Sequence, residues 1–169
     1  MRNLITYEEI SLLARPCTTD DDIAKAMIAE AQRVEIKPRL GDALYLKLVE
    51  DNPDERFNVL LDGGKWSDNC GDHLLTGIKT ALAYYALARI TRDGNIHETR
   101  YGSVVKDDQY STDPEKTERQ RQYRELFVQA DSYMAEALHY LTQNRQSFPE
   151  YQTCAKMRSN RMTIRVIGK

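Results

Sequence analysis

Apolar residues recur at helical spacing through most of the chain. Thr6-x-x-Glu9 has the spacing of a capping box, Ile10, Leu13 and Ala14 share one face behind it, and Pro16 ends the segment. This predicts a short first helix. Thr19 or Asp20 caps a second, in which Asp21 and Asp22 lie beside the positive helix end and Ile23, Met27, Glu30, Ala31 and Val34 follow at helical spacing. Pro38 marks a break or the first turn of a third helix, whose Leu40, Leu44 and Leu48 recur every four residues, with Tyr45 extending the stripe. Asp51-Asn52-Pro53 is turn chemistry, and Phe57, Leu60 and Leu61 make a short amphipathic segment that Asp62-Gly63-Gly64 stops.

The row from Gly71 to Ile90 predicts a central helix, because Ala81 to Ala88 is apolar or tyrosine on every side, as in a helix surrounded by others. Gly94 is placed to end it. Residues 95–112 lose helical periodicity and carry β-branched residues around Gly102, which predicts a loop or a small hairpin. Asp113-Pro114 opens the longest pattern, in which Tyr123, Phe127, Ala130, Met134, Ala137 and Leu141 hold one face. Its first turns, Glu115 to Arg124, are almost wholly polar and are expected to project beyond the core. Beyond Phe148-Pro149 the helical stripe is gone, and Met162-Thr163-Ile164-Arg165-Val166-Ile167 alternates apolar with polar or basic residues, the pattern of a short strand without a partner in its own chain.

A chain of 169 residues, 41% hydrophobic and 30% charged, suits one globular domain with a modest core, to which ten tyrosines add area. No apolar stretch is long enough to span a membrane. The 24 basic and 26 acidic residues nearly cancel, so the overall charge points to no partner. Their distribution says more: residues 151–169 carry Lys156, Arg158, Arg161, Arg165 and Lys169 and no acid, a charge of +5, which leaves −7 on the first 150 residues. Cys17, Cys70 and Cys154 are odd in number and widely spaced, and the opening residues do not form a secretory signal, so free thiols in a reducing cytoplasm are expected.

Catalytic motifs are absent from the sequence. There is no Gly-x-Ser-x-Gly elbow, no phosphate-binding loop and no His-Glu-x-x-His, and Gly63-Gly64-Lys65 lacks P-loop spacing and reads as a turn. Cys70-Gly-Asp-His73 approaches a metal pair, but a structural zinc needs four ligands and the remaining Cys and His are scattered singly. Asp20 to Asp22 fit helix-end charges better than a cation loop, which would need converging oxygens and a glycine turn. Tyr84 and Tyr85, in a buried helix, fit core positions with satisfied hydroxyls. The tail resists a bland reading as a solvated terminus, since Ile164, Val166 and Ile167 are costly to leave in water. It reads as an arm that orders on a partner, either protein through strand addition or nucleic-acid phosphate through its five cations.

Taken in order, the acidic-capped second helix with EAQRVEIKPRLGDALYLKL (30–48), the apolar ALAYYALAR (81–89), TRYGSVVKDDQYS (99–111) and the long helix ending in ALHYLTQN before Phe148-Pro149 resemble the head-to-tail connector proteins of tailed bacteriophages, also called adaptor or head-completion proteins. The likeness is to the versions of Bacteroides and crAss-like phages, and it covers most of residues 6–150. It implies a non-catalytic helical bundle, assembled as a homo-oligomeric ring, commonly a dodecamer, that joins the portal protein to an adjacent tail or ring protein. DNA passes through the lumen without sequence-specific binding.

The expectation is therefore an all-α fold: a helical body over 1–150, with a long C-terminal helix and a loop or small β-hairpin insertion, followed by an extended arm over 151–169. The chain is expected to be a structural virion protein of the capsid–tail junction, made in the host cytoplasm, with no cofactor, no metal and no membrane association. Candidate interface residues are Thr99, Arg100, Tyr101, Val104 and Val105 in the insertion, and Lys156, Arg158, Arg161, Ile164, Arg165, Val166 and Ile167 in the arm. The rival reading is a small cytoplasmic nucleic-acid-binding protein that uses the arm on phosphates, against which the acidic body argues. An enzyme built on Cys70, Asp72 and His73 is a distant third.

Overall fold

The computed structural model describes residues 2–51, 53–68, 71–93, 96–99, 102–105 and 116–151. Helix α1 (Tyr7–Leu13) starts at the predicted capping box: the Thr6 hydroxyl accepts from the Glu9 N–H at 3.4 Å and the Glu9 carboxylate accepts from the Thr6 N–H at 2.7 Å. The Tyr7 hydroxyl donates to the Cys17 carbonyl (2.9 Å) and accepts from the Thr19 N–H (3.2 Å), which holds the Pro16 segment against the helix. Helix α2 (Asp21–Ala31) is capped by Asp20, whose carboxylate accepts from the Asp22 N–H, while Asp21 pairs with Lys25 one turn on.

At Pro38 the chain does not break. A π turn (Gln32–Ile36) runs on from α2 into α3 (Lys37–Leu40), with the Lys37 N–H bonded to the Gln32 carbonyl five residues back. The wider turn accommodates a proline that lacks an N–H and would crowd an α-helical carbonyl. The break falls instead at Gly41, whose φ of +82° separates α3 from α4 (Asp42–Leu48). Leu40, Leu44 and Leu48 are all buried, but they do not share one continuous helix. A 3₁₀ turn (Glu55–Phe57) and α5 (Asn58–Asp62) follow, burying Phe57, Leu60 and Leu61 as expected.

The sequence expectation fails between Gly63 and Thr76. Gly64 and Lys65 do not form a turn, and residues 71–75 are not helical: β1 (Gly64–Asp68) and β2 (Gly71–Leu75) form an antiparallel hairpin with Trp66 opposite His73. Its base closes where two glycines meet. A Cβ on Gly63 (φ +89°) would lie 2.5 Å from the Leu75 carbonyl oxygen, and one on Gly77 (φ +94°) would lie 2.6 Å from the Gly63 nitrogen. Only glycine fits either backbone there.

The central helix therefore begins later, as α6 (Ile78–Asp93), and it is buried almost all round: Ala81, Leu82, Ala83, Tyr85, Ala86, Leu87 and Ala88 are all in the core. It packs against α1, α2, α5 and the long helix α7 (Lys116–Gln143). Between them lies the second hairpin, β3 (Ile96–Thr99) antiparallel to β4 (Gly102–Val105), where a loop or hairpin is expected. Helix α7 buries Leu126, Ala130, Met134, Ala137 and Leu141, and no residue from Thr117 to Arg124 is buried. The protein is thus mostly helical but not all-α, since two short antiparallel hairpins interrupt the helices. Among the described residues no helix is long and apolar enough to cross a membrane.

Candidate assembly surface

Helices α6 and α7 define the axis of the molecule, and they run antiparallel. The Arg92 guanidinium lies 4.9 Å from the Tyr123 ring centroid at one end, Tyr85 meets Phe127 edge-on at 5.0 Å and Tyr84 meets Tyr133 at 5.2 Å in the middle, and Thr76 donates to Glu136 at 2.8 Å at the other end. The alanines of α6 allow this close approach. At 28 residues, α7 is about 42 Å long at 1.5 Å per residue.

The β3–β4 hairpin follows the C-terminal end of α6 and precedes the N-terminal end of α7 in the chain, so it is rooted at one pole of the pair. Its register sets Ile96 opposite Val105, His97 opposite Val104 and Thr99 opposite Gly102. The predicted interface residues Thr99, Val104 and Val105 therefore come together on one hairpin. Arg100 and Tyr101 lie outside the described residues, as do Lys156, Arg158, Arg161, Ile164, Arg165, Val166 and Ile167 of the arm.

The root of the arm lies at the opposite pole, and it is clamped. Phe148 is buried between Phe57 (5.9 Å between centroids) and Tyr140 (5.7 Å), while Arg56 donates to the Ser147 carbonyl (2.7 Å) and to the Glu150 carboxylate (2.6 Å). Burial pushes the Glu150 carboxyl up, but its own backbone N–H and Arg56 outweigh that and hold it below the ordinary value of 4.5.

Next to the root stands a cluster that the sequence reading did not find, because its members come from three elements. Trp66 of β1 stacks on His73 of β2 (4.7 Å) and meets His139 (5.7 Å) and Tyr140 (5.3 Å) of α7, so the β1–β2 hairpin is fixed to the bundle. His73 also contacts the Asp68 carboxylate at 3.0 Å. The available signal was the double glycine ahead of Trp66. His73 thus faces a stacking partner and a carboxylate, and Cys70 lies outside the described residues. Among the described residues no group of three or more His, Cys, Asp or Glu is gathered in a way that could hold a metal ion. The described Cys17 is a free thiol.

Polar side chains elsewhere knit the bundle together. Gln32, buried in the π turn, accepts from the Leu4 N–H (2.6 Å) and donates to the Arg2 carbonyl and the Tyr45 hydroxyl. It forms the floor of a cleft of about 350 Å³ that Asn3, Ala29 and Arg33 complete. The Gln32 amide thus ties both the N-terminal segment and α4 to the π turn. Arg89 of α6 donates to Glu30 (2.5 Å) and to the buried Glu35 (2.6 Å), and burial, outweighing Arg89, raises the Glu35 carboxyl above its ordinary range.

A family model described as a family of unknown function (DUF6712) matches residues 36–161. The chain belongs to that family. The DUF6712 segment begins at the end of the π turn and takes in both hairpins, the α6–α7 pair and the clamped root, then continues into the arm as far as Arg161. The matched segment therefore covers the elements at both poles of the molecule, whereas α1 and α2 lie outside it. No curated protein and no solved structure matches the chain.

Proposed function

We propose that this chain is a structural protein of a tailed-phage virion, a head-to-tail connector that assembles as a homo-oligomeric ring between the portal protein and the tail. The observation that carries the reading is the polarity of the body, with the β3–β4 hairpin at one end of the α6–α7 pair and the clamped root of the arm at the other. A subunit with different attachment elements at its two ends makes heterologous contacts, and such contacts close into rings when the rotation allows. The charge division supports it as well: an acidic body at −7 suits a lumen through which DNA slides, and an arm at +5 suits docking on acidic protein. The sequence resemblance to phage connectors adds the portal and the neighbouring tail ring as partners, and the virion as the location.

Light scattering and electron microscopy test the reading on the full chain and on a chain ending at Glu150, each with and without portal protein. Rings, or a portal complex, from the full chain are expected. Monomers throughout, even beside the portal, would overturn it. The rival would then take its place if DNA binding fell steeply with salt and vanished on neutralising the five arm cations.

A further inference from the structure

The two hairpins differ in what backs them. The β1–β2 hairpin is packed on α5 and α7, with Trp66 set among His73, His139 and Tyr140. Strands β3 and β4 pack mainly against one another, and among the described residues their sheet has two strands only. An isolated two-stranded hairpin is marginal in water, and stability comes with a third strand or a helix behind it. Among the described residues neither outer edge of this hairpin carries a further strand, and such an edge of backbone N–H and C=O groups is a template for strand addition.

The chain contains a segment with the matching pattern. Residues 162–167 alternate as a strand does, and the arm that carries them has the opposite charge to the body. We propose that residues 162–167 of one copy add as a third strand to the β3–β4 hairpin of a neighbouring copy. Reach favours a second copy over the same one. The arm leaves at Tyr151, beside Phe148 and Tyr140, whereas the hairpin follows Asp93, near the level of Tyr123. Tyr123 and Tyr140 are about 26 Å apart along α7. The ten residues 152–161 span about 33 Å when fully extended. Docking on its own hairpin would stretch the linker almost taut along the whole helix pair. Docking on a neighbour removes that requirement, and each copy then gives a strand at one pole and receives one at the other. The same donor–acceptor contact repeats around a closed ring. This inference rests on the homo-oligomer of the proposed function and not on the portal.

Disulfide trapping tests it, since adjacent strands bring Cα atoms to about 4.5–5.5 Å, within disulfide range. Full-length chains with Cys17, Cys70 and Cys154 changed to Ser carry one new cysteine each: Thr163→Cys in one, and Glu98→Cys or Ser103→Cys in the other. On mixing and oxidation, a covalent dimer of unlike chains is expected, at one hairpin position in preference to the other. Adding Ile164→Pro, which removes a ladder donor, should lower the yield at least tenfold. Oligomers without the cross-link would overturn the inference and leave the ring reading standing. A bond formed only within a chain bearing both cysteines, independent of dilution, would overturn it in favour of the same copy. If the cysteine-free chain fails to fold, Ile164→Pro in the native sequence serves instead: a fall in assembled mass is expected, and unchanged mass would overturn the inference. Absence of any oligomer, alone or on the portal, would remove the ring reading and this inference together.

Discussion

Arg39 and Asp131, 92 positions apart in sequence, meet in an ion pair of 2.6 Å that closes over the hydroxyl of Tyr85. The Tyr85 hydroxyl accepts from Arg39 and donates to Asp131 at 2.5 Å, so α3, α6 and α7 are joined at one point. Tyr85 is fully buried, whereas the two charged groups reach solvent. Tyr85→Phe should therefore cost about 1–2 kcal/mol, a hydrogen bond to charged groups lost with the ring kept in place. Arg39→Ala should cost no less, because it also removes the guanidinium lying 5.3 Å from the Tyr85 ring centroid. Urea denaturation of the two variants checks both, and a neutral Tyr85→Phe would show that the triad does not join the helices.

The meeting of Gly63 and Gly77 gives a larger effect. Gly77→Ala places a methyl 2.6 Å from both the Gly63 nitrogen and the Leu61 carbonyl oxygen, at a φ of +94° that L-residues rarely adopt. Backbone faces that methyl, so no side chain can yield. The loss should exceed about 3 kcal/mol, left-handed strain plus the displacement of β1 from β2. Gly71→Ala, with a φ of +133° and no atom within 4 Å, carries the strain alone and should cost about 1–2 kcal/mol. Thermal melts of the pair separate steric conflict from backbone strain.

These contacts also mark where the sequence was legible. The Thr6 capping box, the Asp20 cap, the buried α6 and the β3–β4 hairpin are written in residues near each other in the chain, so local pattern found them. The β1–β2 hairpin was hidden because its support is tertiary: Trp66 needs His139 and Tyr140 from α7, and Gly77 needs Gly63. Period alone ran the α6 pattern back to Gly71, and it ran a leucine stripe across Gly41, where only the positive φ reveals the break. Of the candidate interface, spacing located Thr99, Val104 and Val105 on a hairpin, while what holds the arm at Arg56 depends on a contact 94 residues away in sequence.

The single tryptophan of the chain reports on that tertiary support. His73→Ala removes the ring stacked on Trp66 and the contact to Asp68, and it should cost about 1 kcal/mol. Trp66 emission should move to longer wavelength as water replaces the imidazole. A variant that lost stability without moving the emission would place the role of His73 in the strand pairing rather than in the stack.

Glu35 and Arg89 form a buried pair that is only partly satisfied, since Glu35 Oε2 and Arg89 Nε have no hydrogen-bond partner among the described residues. Arg89→Met should cost about 3–5 kcal/mol, because it leaves the Glu35 carboxylate buried without a cation. The pH dependence has a definite sign. Burial raises the folded Glu35 carboxyl above 4.5, so the folded state holds the proton more tightly than the unfolded one. The stability this contributes is full below 4.5 and is lost as pH rises through the raised value. Glu35→Gln lacks that loss, so its stability relative to the parent should rise between pH 4 and pH 7 in urea titrations. A difference that narrowed over the same range would mean that Arg89 outweighs burial.

Glu150 has the opposite sign, and it sits where the arm begins. Burial raises its carboxyl, but its own backbone N–H and Arg56 lower it further, so the folded value lies below 4.5. Its contribution is full above 4.5 and is lost as pH falls through that lower value. Acidification should therefore release the clamp between Arg56, Ser147 and Glu150 while Glu35 holds its proton and the helices remain packed. Arg56→Ala should produce the same release at neutral pH at a cost of about 1.5–3 kcal/mol, the range for hydrogen bonds with a charged partner. Hydrogen exchange over residues 147–151 measures it, and protection there should fall in the variant at pH 7 and in the parent only at acid pH. Equal protection in both proteins at pH 7 would assign the anchoring of the arm to the Phe148 ring, set between Phe57 and Tyr140, in place of the ion pair.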